Sequence, residues 1–155
     1  MLIVDASCLY EVVADATAAE QVRARLADDD DQAAPHVVDA EVLGIIRRDR
    51  MLGRLDETAA AQAVADLREW PGERFGHRSL LARAWELRGT VRSWDAMYVA
   101  LAEALSATLI TLDDRLARTR GPRCRIDVIG PNQPALFRTV GLSHKGHTSR
   151  VESGA

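Results

Sequence analysis

Apolar positions along the chain fall into two patterns: short unbroken runs, and longer stretches where they recur at helical spacing. The run Met1–Val4 reads as a strand buried on both faces; Ala33–Val38, Thr108–Leu112 and Arg125–Ile129 read as further strands, with Arg74–His77 as a weaker one. The spaced stretches Ser7–Ala14, Thr17–Ala27, Asp39 or Ala40 to Arg50, Asp56–Glu69, Ser79–Leu87, Ser93–Leu105 and Arg115–Thr119 read as helices. In the third of these, Val42, Leu43 and Ile46 follow helical spacing. Pro71-Gly72, Gly89 and Gly121-Pro122 supply stops, and Ser7 is placed to cap the first helix. Strands alternating with helices specify an α/β fold: a parallel sheet with helices on both faces.

The pattern fades from Pro131 onward. Leu136, Phe137 and Val140 are expected to pack one last turn, and Ser143–Ala155 is polar and expected to be disordered. We therefore expect one domain over residues 1–130 and a C-terminal extension over 131–155. The run Asp28–Asp31 reads as a solvated loop, because like charges resist packing.

Composition is ordinary for a globular chain, 47% hydrophobic and 28% charged. No stretch approaches the roughly 20 apolar residues of a membrane span, and no basic segment precedes the first apolar run as in a signal peptide. Cys8 and Cys124 lie far apart and build no disulfide framework, which fits a reducing cytoplasm. The net charge of -3 argues against a passive nucleic-acid binder. Arginines nevertheless cluster at 47, 48, 50 and 54 and again at 115, 118, 120, 123 and 125. Their planar forks suit phosphate contact, although solvated helix faces explain them equally well.

Candidate chemistry centres on Asp5, Glu41, Asp95 and Asp113. Singly, each has a structural explanation at a helix start, where a negative charge is favoured by about 0.3–1 kcal/mol. Together they all map to one edge, the carboxyl ends of parallel strands, where ligand crevices form. Acids crowded there repel unless protonated or neutralised by a cation. A donor set of oxygens without Cys or His favours Mg²⁺ or Mn²⁺, ions that activate water and stabilise charge on a phosphate.

Val4-Asp5-Ala6-Ser7, the segment from Pro35 to Leu43, the segment from Trp94 to Glu103, and Thr111-Leu112-Asp113 occur in an order and spacing that resemble PIN-domain proteins. More narrowly, the chain resembles the VapC toxins of bacterial type II toxin–antitoxin systems. The resemblance implies a PIN-like three-layer α/β/α sandwich around a parallel sheet of roughly four to five strands. It also implies an endoribonuclease dependent on one or two Mg²⁺ or Mn²⁺ ions, cutting RNA such as tRNA or rRNA to 5′-phosphate and 3′-hydroxyl ends. Asp5, Glu41, Asp95 and Asp113 match the family's acidic quartet. Ser7 and Thr111 stand as supporting hydroxyls, and Asp114 as an extra acid. Arg47, Arg48, Arg115 and Arg118 are candidates for gripping flanking phosphates. A homodimer and a cognate VapB-type antitoxin are the implied partners. The apolar faces around Leu9, Val12, Val13, Val42–Ile46 and Asp56–Glu69 either form the antitoxin groove or fill the chain's own core.

Other readings fare worse. His36, His77, Cys8 and Cys124 match no zinc spacing, and no Gly-x-Ser-x-Gly elbow or phosphate-binding loop is present. A haloacid dehalogenase-type phosphatase needs an acid where Ser7 stands, and a response-regulator receiver needs a sheet-end lysine, whereas the lone lysine is Lys145. A PIN-like interaction module without catalysis is the remaining alternative. Trp70, Trp85 and Tyr98 read as core residues, and Gly44 inside a helix as the site of a close helix contact.

Overall fold

The computed structural model describes residues 1–130; the expected last turn at 136–140 and the polar tail lie outside them. Strands β1 (Leu2–Val4), β2 (Gln32–Pro35), β3 (Glu73–Phe75), β4 (Thr108–Thr111) and β5 (Arg125–Val128) form one 5-stranded sheet in the order β3-β2-β1-β4-β5. Every pairing is parallel, with Ile3 opposite both Ala33 and Leu109. β1 is central because it is apolar at every position: Ile3 and Val4 are fully buried.

The helices are α1 (Ala6–Val13), α2 (Ala19–Leu26), α3 (Val37–Met51), α4 (Glu57–Glu69), α5 (Leu81–Glu86), α6 (Ser93–Ala104) and α7 (Asp114–Arg118). α1 to α4 pack on one another, while α5 pairs with α6, which lies against β1, β2 and β4. Right-handed crossovers put these groups on opposite faces and complete three layers. α6 is buried over most of its circumference, with Ala96, Tyr98, Val99, Ala100, Leu101 and Ala102 all inside the core.

Several boundaries differ from the sequence reading. The second strand stops at Pro35, and Val37 and Val38 open α3 instead of ending the strand. Both valines are buried, so burial alone mimicked a strand. The third strand starts one residue earlier than expected, at Glu73, and ends at Phe75. The fifth helix is shorter, and a 3-10 turn at Leu87–Gly89 follows it. Trp85 is not core: it is 68% exposed. At Gly44 a side chain would meet nothing within 4 Å, so no close helix contact explains it. The faces offered as an antitoxin groove are largely spent internally, since Leu9, Val13, Val42 and Ile46 are buried where α1, α3 and α4 meet.

Connectivity fixes where the acids go. α1, α3 and α7 each follow a strand directly, so their first turns sit at the carboxyl edge of the sheet. α6 must return the chain to the start of β4, so it too begins at that edge. Asp5 is the N-cap of α1, Glu41 lies near the start of α3, Asp95 is in the first turn of α6, and Asp113 is the N-cap of α7.

Candidate active site

Asp5 anchors the site. Its Oδ2 accepts from the Thr111 hydroxyl at 2.5 Å and from the Ser7 hydroxyl at 2.9 Å. Both hydroxyls are themselves held by the loop after β4: Leu112 N–H donates to Ser7 Oγ at 3.1 Å and Asp113 N–H to Thr111 Oγ1 at 3.0 Å. Ser7 therefore does not cap α1 as expected; it braces the first acid against the loop carrying the fourth. Burial pushes the Asp5 carboxyl above its ordinary range, against the lowering effect of these hydroxyls.

Glu41 is raised by burial and by the Asp5 and Asp95 charges, while the Tyr98 hydroxyl, donating to Oε2 at 2.5 Å, holds it down. Tyr98 is core, as expected, but its buried hydroxyl also aims Glu41. Asp95 is raised by burial and by the Asp5 and Asp113 charges, and lowered by Arg92 and Arg115. The expected Ser93 cap is absent: Arg92 is the N-cap residue, without a side-chain capping bond. Asp113 is the exception. Arg115 grips it through Nε to Oδ1 and Nη2 to Oδ2, each at 3.0 Å, and holds its carboxyl below the usual range.

The carboxylates thus feel one another at one edge of the sheet. Among the described residues, no three Asp, Glu, His or Cys side chains yet stand as a ready ion cage. Glu41 is engaged by Tyr98 and Asp113 by Arg115. Beside them a cleft of about 160 Å³ is lined by Thr90, Arg92, Asp95, Asp113 and Arg115. A larger cavity of about 650 Å³ lies at the other rim, around Arg83, Glu103 and the first residues of β4 and β5. It holds an ion pair in which Arg83 Nε meets Glu103 at 2.6 Å, not a set of coupled acids.

The PIN-domain family model matches residues 2–122. The chain belongs to the PIN-domain family. It is 42% identical over 118 residues to Ribonuclease VapC3 of Mycobacterium tuberculosis, covering 76% of this chain and 85% of that protein. The crystal structure of PAE2754 from Pyrobaculum aerophilum is similar at 27% identity and a TM-score of 0.58, over 82% of this chain and 83% of that one. VapBC2 from Rickettsia felis, bound to a DNA fragment from its promoter, shares the fold at 15% identity and a TM-score of 0.59, over 82% and 97%. Within the family, this PIN domain groups with the VapC ribonucleases.

The remaining candidates of this PIN domain divide. Arg115 lines the cleft, but Arg47, Arg48 and Arg118 do not. Arg48 pairs with Asp49 at 3.2 Å and Arg118 with Asp114 at 2.7 Å, so Asp114 faces solvent and an arginine rather than the acids. Arg92 was missed, although its place three residues before Asp95 put it at the same helix start. His77 was also missed as a support: its Nε2 accepts from Val37 N–H at 3.0 Å and fixes the start of the helix that carries Glu41. Only the tertiary pairing of β2 with β3 reveals that contact. Cys8 and Cys124 are both free. Among the described residues, no helix is long and apolar enough to cross a membrane.

Proposed function

We propose that this PIN domain is a Mg²⁺- or Mn²⁺-dependent endoribonuclease, a VapC-type toxin acting in the cytoplasm and hydrolysing phosphodiester bonds of tRNA or rRNA. The observation that supports this most is Asp5, a carboxylate braced by two hydroxyls while burial makes its charge costly, and whose charge in turn raises Glu41 and Asp95. Evolutionary similarity to VapC3, whose name is Ribonuclease VapC3, supports the RNA substrate.

The residues fit a hard divalent cation: the donors are all oxygens, and three of the four acids are pushed up by burial, Glu41 and Asp95 also by neighbouring acid charges. Asp5, Glu41, Asp95 and Asp113 would hold one or two ions. When bound, such an ion supplies an activated water and counter-charge for the phosphate in flight. Ser7 and Thr111 keep the Asp5 carboxylate oriented, and Tyr98 does the same for Glu41. Arg115 exchanges its grip on Asp113 for a phosphate of the entering strand, and Arg92 offers a second contact across the cleft. No protein nucleophile is required.

Partners follow from the same reading. A cognate VapB-type antitoxin neutralises the site by placing a cationic side chain among the acids, and the toxin is a homodimer. Leu43, Met51, Leu52 and Val64, exposed on α3, α4 and the turn between them, offer apolar surface to a partner chain.

The test is cleavage of structured RNA by the purified chain with Mg²⁺ or Mn²⁺, with a chelator arm and mapping of the ends. Asp5→Asn and Asp95→Asn should each lower the rate roughly 100-fold or more. A variant that cuts as fast as the parent overturns the assignment.

A further inference from the structure

An acidic crevice repels the backbone it is meant to cut. With a net charge of -3, the chain cannot rely on its overall field to hold RNA. Some affinity has to come from contacts that do not depend on phosphate charge, and one side chain beside the site is available for that.

Trp94 occupies the first turn of α6, next to Asp95, and is 59% exposed. Trp94 is not one of the residues that line the cleft, but its backbone directly adjoins Asp95, which does, with neighbouring Cα atoms about 3.8 Å apart. The other tryptophans are accounted for. Trp70 is buried, donates its N–H to Gln32 and carries the Arg74 guanidinium over its ring. Trp85 is exposed, but the Arg88 guanidinium covers its ring at 4.7 Å. Among the described residues, no cation stacks on Trp94 and no hydrogen bond engages its indole. An exposed, unengaged indole is therefore carried at the helix start that also carries Asp95, next to the cleft that Arg92, Asp95 and Arg115 line.

We propose that Trp94 is a stacking platform for an unpaired base of the RNA strand, at a nucleotide flanking the scissile phosphate. Every base presents a π-face, so stacking holds the strand without reading its sequence. A base inside a duplex is already stacked, so the platform selects loops and single strands. Arg92 and Arg115 supply the matching charge for the adjoining phosphates. The assignment rests on the ribonuclease reading above.

The experiment measures binding of a single-stranded RNA oligonucleotide and a matched RNA duplex in chelator, where no cutting occurs, by quenching of intrinsic tryptophan fluorescence and by anisotropy of labelled RNA. The parent should bind the single strand with quenching and the duplex without it. Trp94→Ala should weaken single-strand binding about tenfold and abolish most of the quenching, leaving the salt dependence unchanged. Trp94→Phe should retain most of the affinity. In cleavage assays with Mg²⁺, Trp94→Ala should raise KM with kcat little changed, the pattern of lost uniform binding. Trp94→Ala with parental affinity overturns the platform, as does a change of oligomeric state by light scattering with RNA affinity unaltered. A parent that neither binds nor cuts RNA fails the ribonuclease reading itself. A parent that does both, matched by Trp94→Ala, fails only the platform.

Discussion

Thr111 donates its hydroxyl to Asp5 Oδ2 at 2.5 Å across the pairing of β1 with β4, between residues 106 apart in sequence. Thr111 is fully buried, and its oxygen also accepts from Asp113 N–H at 3.0 Å. One hydroxyl therefore orients the first acid and fixes the backbone of the fourth.

Thr111→Val keeps the shape and removes both bonds. A buried N–H left without a partner costs about 1–3 kcal/mol, so the melting temperature should fall. Cleavage should fall as well, because Asp5 loses one of its two braces. Thr111→Ser should retain most of both properties. Thermal melts and RNA cleavage rates on the two variants check this; a valine variant with parental activity contradicts it.

Tyr98→Phe removes the hydroxyl that lowers Glu41. The Glu41 carboxyl then moves further up, so the acid limb of the cleavage–pH profile should shift to higher pH. The phenylalanine fills the same buried space, so the loss of stability should be modest, about 1 kcal/mol. A profile superimposable on the parent's would exclude a role for this contact.

Asp5, Glu41 and Asp95 are raised in the folded chain above ordinary values of 3.8 and 4.5. The folded state therefore holds protons that the unfolded chain has released. Their contribution is complete below the unfolded values and is lost as pH rises through the elevated folded ones. Asp113 is lowered, so its contribution is present above 3.8 and lost as pH falls through its folded value. Above the unfolded values of 3.8 and 4.5, then, the raised acids set the sign, and the ion-free protein should lose stability as pH rises through their elevated folded values. Melts in chelator across that range test it, with Asp5→Asn expected to flatten the slope and added Mg²⁺ to restore stability at neutral pH. An unchanged slope in the variant contradicts the coupling.

Arg92 lines the cleft with Asp95, whereas Arg48 and Arg118 are paired on outer helix surfaces. Arg92→Ala should weaken RNA binding and reduce the slope of log affinity against log salt by about one. Arg48→Ala and Arg118→Ala should change neither by much. Titrations at several salt concentrations separate these outcomes.

Much of the architecture was written in local pattern. Val4-Asp5 and Leu112-Asp113 announce a buried strand ending in an acid, and alternating element types force parallel pairing with every such end on one rim. Boundaries were less legible. Val37 and Val38 read as strand because burial is the same signal in either element, and Trp85 read as core because an aromatic at helical spacing does not say which side of its helix is covered.

The chain alone determined the order of elements, the sheet class and the edge at which Asp5, Glu41, Asp95 and Asp113 gather. These follow from periodicity and connectivity, which are properties of neighbours in sequence. Tertiary structure decided which oxygen each acid uses and who holds it: Thr111 and Ser7 on Asp5, Tyr98 on Glu41, Arg115 on Asp113, His77 beneath α3. Most of these contacts join segments distant in sequence. Their energies depend on burial and on angles set only once the layers have packed, which no spacing along the chain encodes.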